Sequence, residues 1–122
     1  MAKFRYPTTS EIIEFNKLLL KEIKIKKADK PELVSYKALT KCIEACQNLE
    51  GDLYYKAACL LKNIIQKHPF ASGNRRTAFA VTERFLSNNE AKLNITDAKF
   101  HVQTLKGIRE GYYSDEEIKN WL

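Results

Sequence analysis

A chain of 122 residues that is 44% hydrophobic is long enough for one domain with a real core and too apolar for a disordered segment. Four glycines and three prolines point to long regular elements. No stretch approaches the roughly 20 apolar residues of a membrane span, and MAKFRYPTTS lacks the apolar run of a signal peptide, so a soluble cytoplasmic protein is expected. The formal charge of +6 suits a nucleotide, a nucleic acid or an acidic protein partner, and equally a solvated lysine-rich surface.

Thr8-Thr9-Ser10-Glu11, just after Pro7, is a capping-box pattern and starts a first helix carrying Ile12, Ile13, Phe15, Leu19 and Ile23. From Lys21 to Lys30 the chain reads KEIKIKKADK, with little sustained apolar face. Its later half is expected to be a mobile, basic connection: a solvated linker in preference to a flap or partner-binding segment. The alternation of Ile23 and Ile25 also admits a short strand.

A second helix follows Pro31 and runs to about Leu49, with Leu33, Tyr36, Leu39, Ile43 and Cys46 spaced at three and four and Gly51 as its stop. Asp52 caps a third helix through Leu53, Ala57, Leu60, Leu61, Ile64 and Ile65. Its apolar residues cover more than one stripe, which places it at the centre of a bundle. It ends at Lys67 because Pro69 disfavours helix in the residue before it. A fourth helix begins near Asn74 or Arg75 and continues through Ala78, Val81, Phe85 and Leu86 to Asn88-Asn89, where an asparagine offers a left-handed stop.

Lys92 to Ile95 reads as a short extended piece. Thr96 caps a fifth helix through Phe100, Val102 and Leu105, ending near Gly107 or Gly111, and Ser114 to Glu117 is a second capping box opening a last short helix. No strands alternate with helices, so the class is all-α: residues 1–122 as one bundle-like domain of about six helices. Cys42 and Cys46 share one helix face, Cys59 stands apart, and no Cys-x-x-Cys pair occurs. Buried reduced thiols are expected in place of a disulfide framework or a zinc site.

Between the third and fourth helices lies HPFASGNRRTAF, His68 to Phe79. A histidine just past a helix end, followed by a tight loop and a helix opening on Gly-Asn-Arg-Arg, suits transfer from a nucleotide to a hydroxyl. Such transfers need positioning, charge neutralisation at the phosphates and help for the attacking oxygen. His68 is the natural base, because an imidazole with its ordinary pKa of about 6.5 is largely neutral at cytoplasmic pH. Pro69 fixes the turn and Phe70 anchors the loop in the core. Gly73 permits close approach or positive φ, and Asn74 offers a donor and an acceptor. Arg76 is the best placed for direct phosphate contact, while Thr77 caps or packs. His101 lacks such company and reads as an ordinary helix residue. Neither a Walker A sequence nor Gly-x-Gly-x-x-Gly is present.

The pattern HPF-x-x-GN-x-R, at His68, Pro69, Phe70, Gly73, Asn74 and Arg76, resembles the signature of the Fic/Doc family, whose usual form is His-Pro-Phe-x-Asp/Glu-Gly-Asn-Gly-Arg. Chain length, helix order and the Arg-Glu-Gly-Tyr-Tyr-Ser-Asp segment before the last helix resemble the small Doc (death-on-curing) branch. The resemblance implies an all-α bundle with the motif loop between two central helices. It implies His68 as catalytic base and nucleotide-phosphate binding by Ser72, Gly73, Asn74, Arg75 and Arg76, with ATP as substrate and Mg²⁺ as cofactor. It also implies a protein target bearing a Ser, Thr or Tyr hydroxyl, such as a translation factor, and a toxin held in check by a small antitoxin.

Three positions depart from the family form. Arg75 stands where AMP-transferring members have Gly and Doc toxins have Lys, and Phe79 stands where the longer AMP-transfer signature has a further arginine. Both favour phosphoryl transfer over the alternative, AMP transfer. Ser72 stands where the family has an acidic metal ligand. Weak metal binding, rescue by another acidic residue and loss of the metal all stay open there, and with them a degenerate nucleotide- or phosphate-binding module without turnover. Lys21 to Lys30 also lacks the glycine-rich character of the corresponding Doc segment. Nucleic-acid binding through the basic surface is the least supported reading, and no membrane association is expected.

Overall fold

Every helix needs acceptors for its first N–H groups, and at most helix starts of this chain a side chain supplies one. In the computed structural model, which describes residues 4–22, 33–108, 111 and 113–122, helix α1 is Thr9–Glu22. Thr8 and Glu11 cap it reciprocally: Thr8 Oγ1 accepts from the Glu11 N–H, and Glu11 Oε1 accepts from the Thr8 N–H, both at 3.2 Å. Asp52 opens α3, Leu53–Lys67. Thr96 opens α5, Asp97–Gln103, and Ser114 with Glu117 closes a second capping box on α6, Asp115–Lys119. The Lys21–Lys30 connection and the alternative strand at Ile23 and Ile25 lie outside the described residues from residue 23 onward. Among the described residues there is no strand, and the one extended pairing is an isolated antiparallel bridge between Leu33 and Phe70.

That bridge explains where α2 begins. The sequence admits helix soon after Pro31, yet α2 is Tyr36–Asn48. The N–H groups of Val34 and Ser35 both donate to the Pro69 carbonyl, at 2.8 and 3.1 Å, so this stretch spends its backbone on the motif loop instead of on a helix. The Ser35 side chain then caps α2 at the Ala38 N–H.

The other end of α2 is finished from a distance. Lys56 of α3, 7% exposed, donates from Nζ to the carbonyls of Cys46 (3.1 Å), Gln47 (3.2 Å) and Leu49 (2.5 Å). The ammonium also lies 5.4 Å from the centre of the Tyr6 ring. The last carbonyls of a helix lack intrahelical partners and carry the negative end of its dipole, so a cation there satisfies both.

Helix α4, Asn74–Asn88, ends differently from expectation. Asn89 has φ −113°, and the left-handed residue is Glu90, φ 63°. Asn89 is used otherwise: its side chain accepts from the Arg5 N–H and donates to the Arg5 and Phe85 carbonyls, pinning the N-terminal segment to the end of α4. Helix α5 passes into a π-helical turn, Thr104–Ile108, broken by Gly107 at φ 142°.

Helix α3 is the hub. Residues 56 to 61 are all buried, and the helix packs on α2, α4 and α6. The core joins its Leu60, Leu61, Ile64 and Ile65 to Leu39 and Cys42 of α2, Val81 and Phe85 of α4, and Phe70 of the loop. The fold is all-α, with the His68–Gly73 loop linking two helices of the core. All three thiols are free and buried. Burial pushes Cys42 and Cys46 up to about 12 and raises Cys59. Among the described residues no helix is long and apolar enough to cross a membrane.

Candidate active site

Proline at 69 cannot donate an N–H, and its ring excludes ordinary helix at the residue before it. His68, the C-cap of α3, takes the left-handed conformation, φ 47° and ψ 60°. This conformation is unusual for a residue with a side chain and costs about 1 kcal/mol, so the following residues must hold it. Pro69 is buried and its carbonyl takes the two N–H groups from Val34 and Ser35. Phe70 is 2% exposed within the core; burying a phenylalanine contributes about 2–3 kcal/mol, enough to anchor the turn.

Asn74, the first residue of α4, is 5% exposed and folds back over the loop. Its Oδ1 accepts from the Phe70 N–H at 3.0 Å, and its Nδ2 donates to the Phe70 carbonyl at 2.8 Å. The same Nδ2 lies 3.1 Å from His68 Nδ1. The exposed imidazole is thus tied directly to the first residue of α4.

Gly73 caps α4 with φ 78°. A Cβ there would lie 3.1 Å from Leu20 Cδ2 and 3.2 Å from Asn16 Nδ2, so both conformation and space call for glycine. Asn16 is a residue that sequence reasoning missed. It sits on α1, 1% exposed, and its Nδ2 donates to the Ser72 carbonyl (2.9 Å) and to Thr77 Oγ1 (3.1 Å). A signal for it exists in the sequence: Ile12, Asn16 and Leu20 recur at four, and all three are buried, so a polar residue interrupts an apolar stripe. A buried carboxamide must find partners, and here they are the motif loop.

The two arginines diverge. Arg75 Nη1 lies 3.2 Å from Asp97 Oδ1 at the start of α5, and the arginine side chain is 16% exposed. Arg76 is exposed and forms no ion pair with another described residue. No acidic residue occupies the first turn of α4, so its positive end is not neutralised from within the helix. The loop therefore offers an anion the first N–H groups of α4 and one outward guanidinium, with a second held alongside by Asp97. Lys67, the residue before His68, joins Ser35, Lys37, Ala38 and Lys41 around a shallow depression of about 250 Å³ without a carboxylate in its lining.

His68, Pro69, Phe70, Ser72, Gly73, Asn74, Arg75 and Arg76 are contiguous in one loop and one helical turn. Phe79 is half-buried and packs on Phe100, ring centres 5.3 Å apart. His101 is exposed on α5. The residues present do not suit Mg²⁺, which is held by carboxylates and substrate phosphates. Ser72 brings a neutral hydroxyl, and Asp97 is committed to Arg75. Among the described residues no group of three or more His, Cys, Asp or Glu side chains is placed to hold a metal.

A model of the Fic/DOC family matches residues 6–86, about two thirds of the chain. The span takes in α1, α2, α3, the motif loop and α4 to within two residues of its end. No curated protein and no solved structure matches the chain.

Proposed function

The chain belongs to the Fic/DOC family, whose members are typically transferases using nucleotide substrates, and on that premise we propose that it transfers a phosphoryl group from ATP to a hydroxyl side chain of a target protein. The observation that carries this reading is the placement of the exposed His68 ring beside the start of α4, whose first turn holds no acidic side chain. The nucleotide phosphates lie over the first N–H groups of α4, with Arg76 adding charge in a planar fork and Arg75 beside it. The target oxygen attacks the γ-phosphorus as the bond to the β,γ-bridging oxygen breaks and ADP departs. His68 receives the hydroxyl proton. No step is routed through a metal, since Ser72 does not supply a carboxylate.

A long cation at position 75, where AMP-transferring members have glycine and Doc toxins lysine, favours γ-phosphoryl over AMP transfer by that resemblance. A target such as a translation factor, and a small protein that restrains the enzyme, are proposed from the resemblance to the Doc branch. The lysine-lined depression beside His68 suits the approach of an acidic target segment. Incubating the protein with γ-labelled ATP and a cell lysate tests the proposal: a labelled band is expected that His68→Ala abolishes. Label from the α-phosphate alone replaces it with AMP transfer.

Ser72 favours one second reading, a nucleotide- or phosphate-binding module without turnover. In that case the wild type binds nucleotide but is inert, and Ser72→Asp restores transfer.

A further inference from the structure

We propose that Asn74 is a positioning residue that sets the tautomer of His68, holding the ring in a proton-donating state until the contact between them is released. The orientation of the amide is dictated by the backbone of Phe70. The Phe70 N–H can only donate, so the carboxamide oxygen must face it, 3.0 Å away. The Phe70 carbonyl can only accept, so the amide nitrogen must face that, 2.8 Å away. Both bonds are buried. The second hydrogen on Nδ2 is then directed at His68 Nδ1, 3.1 Å from the nitrogen.

A ring nitrogen met by an N–H must present its lone pair. Neutral imidazole carries one proton, and with Nδ1 accepting, that proton resides on Nε2. Turning the ring over would replace Nδ1 by a carbon and forfeit the bond. The second ring nitrogen of His68 is therefore a donor. It can hydrogen-bond to a phosphate oxygen, but it cannot take the proton of a hydroxyl. For His68 to become a base at Nε2 the ring proton must move to Nδ1, where it would meet the amide hydrogen head-on. Turnover then includes a step in which the ring leaves Asn74. This inference builds on the proposed role of His68 as proton acceptor, yet the tautomer is a property of the resting protein and is measured without any reaction.

The test is two-bond ¹⁵N–¹H correlation on the ring-labelled, full-length protein at about pH 8, above the ordinary histidine range. Exposed His101 on α5 serves as an internal reference in the same spectrum. His68 is expected to show protonated Nε2 and a larger Nε2–H share than His101. Asn74→Ala should lower that share. Asn74→Asp, whose carboxylate can only accept, should reverse it in favour of Nδ1–H. Protonated Nδ1 in the wild type, or a share equal to that of His101, overturns the proposal, and this wild-type comparison stands even if the variants do not fold. Loss of all transferase activity would remove the proposed function and leave the tautomer result intact.

Discussion

Asn16 in α1 and Ser72 in the motif loop are 56 residues apart in sequence, and the Asn16 side-chain amide donates to the Ser72 carbonyl at 2.9 Å. The same nitrogen reaches Thr77 on α4, so one buried side chain bridges the loop and the helix that follows it. Asn16→Ala leaves a carbonyl and a hydroxyl without this donor. Unfolding in urea should show a loss of about 1–3 kcal/mol. Nucleotide binding, followed by calorimetry, should weaken as well, because the loop that shapes the anion cradle loses its tether to α1.

Gly73 adopts φ 78° beneath Leu20 and Asn16. Gly73→Ala adds a left-handed non-glycine residue, at about 1–2 kcal/mol, and forces the two neighbours to give way. The expected outcome is a folded protein with a lower unfolding midpoint and at least tenfold weaker nucleotide affinity.

The ion pair between Arg75 and Asp97 has an exposed acidic partner, 59% accessible. Surface pairs of this kind contribute about 0–1 kcal/mol, so Asp97→Ala should leave stability nearly unchanged. It frees the guanidinium for phosphate, and nucleotide should bind about three- to tenfold more tightly. Arg75→Gly should do the reverse. Equal weakening in both variants would show that Asp97 orients Arg75 for the phosphate instead of holding it back.

Lys56→Met keeps the aliphatic stem of a buried side chain and removes the ammonium from three carbonyls at the end of α2. A loss of about 2–4 kcal/mol is expected in chemical denaturation. Added nucleotide should still raise the melting temperature, since Lys56 has no contact with the motif.

The buried thiols give a pH dependence. In the unfolded chain they ionise at the ordinary value of 9.0, whereas in the folded protein Cys42 and Cys46 stay neutral to about 12. Between those values the folded state binds more protons, so stability falls as pH rises. Thermal melts should show a stable plateau below about pH 9 and a progressive loss above it. At neutral pH, alkylation of the native protein should be slow at all three cysteines and rapid after denaturation.

What the sequence by itself determined is local. Thr8, Asp52, Thr96 and Ser114 mark four helix starts because a cap and its N–H partner lie within three residues. The three- and four-residue spacing of apolar residues marks α3 as central, and HPF-x-x-GN-x-R marks the site. Tertiary packing decided the rest. Leu33 to Ser35 fail to join α2 because Pro69 and Phe70 lie alongside them. Arg75 turns to Asp97, 22 residues on, although the resemblance implies a phosphate contact for it. Lys56 is buried because its ammonium meets the carbonyls at the end of α2. Asn16 reads as an imperfection in an apolar stripe until the loop lies against it. In each case a polar group was taken out of water by a neighbour distant in sequence and had to find its partner there. That choice depends on how the helices cross, which no short-range pattern of residues contains.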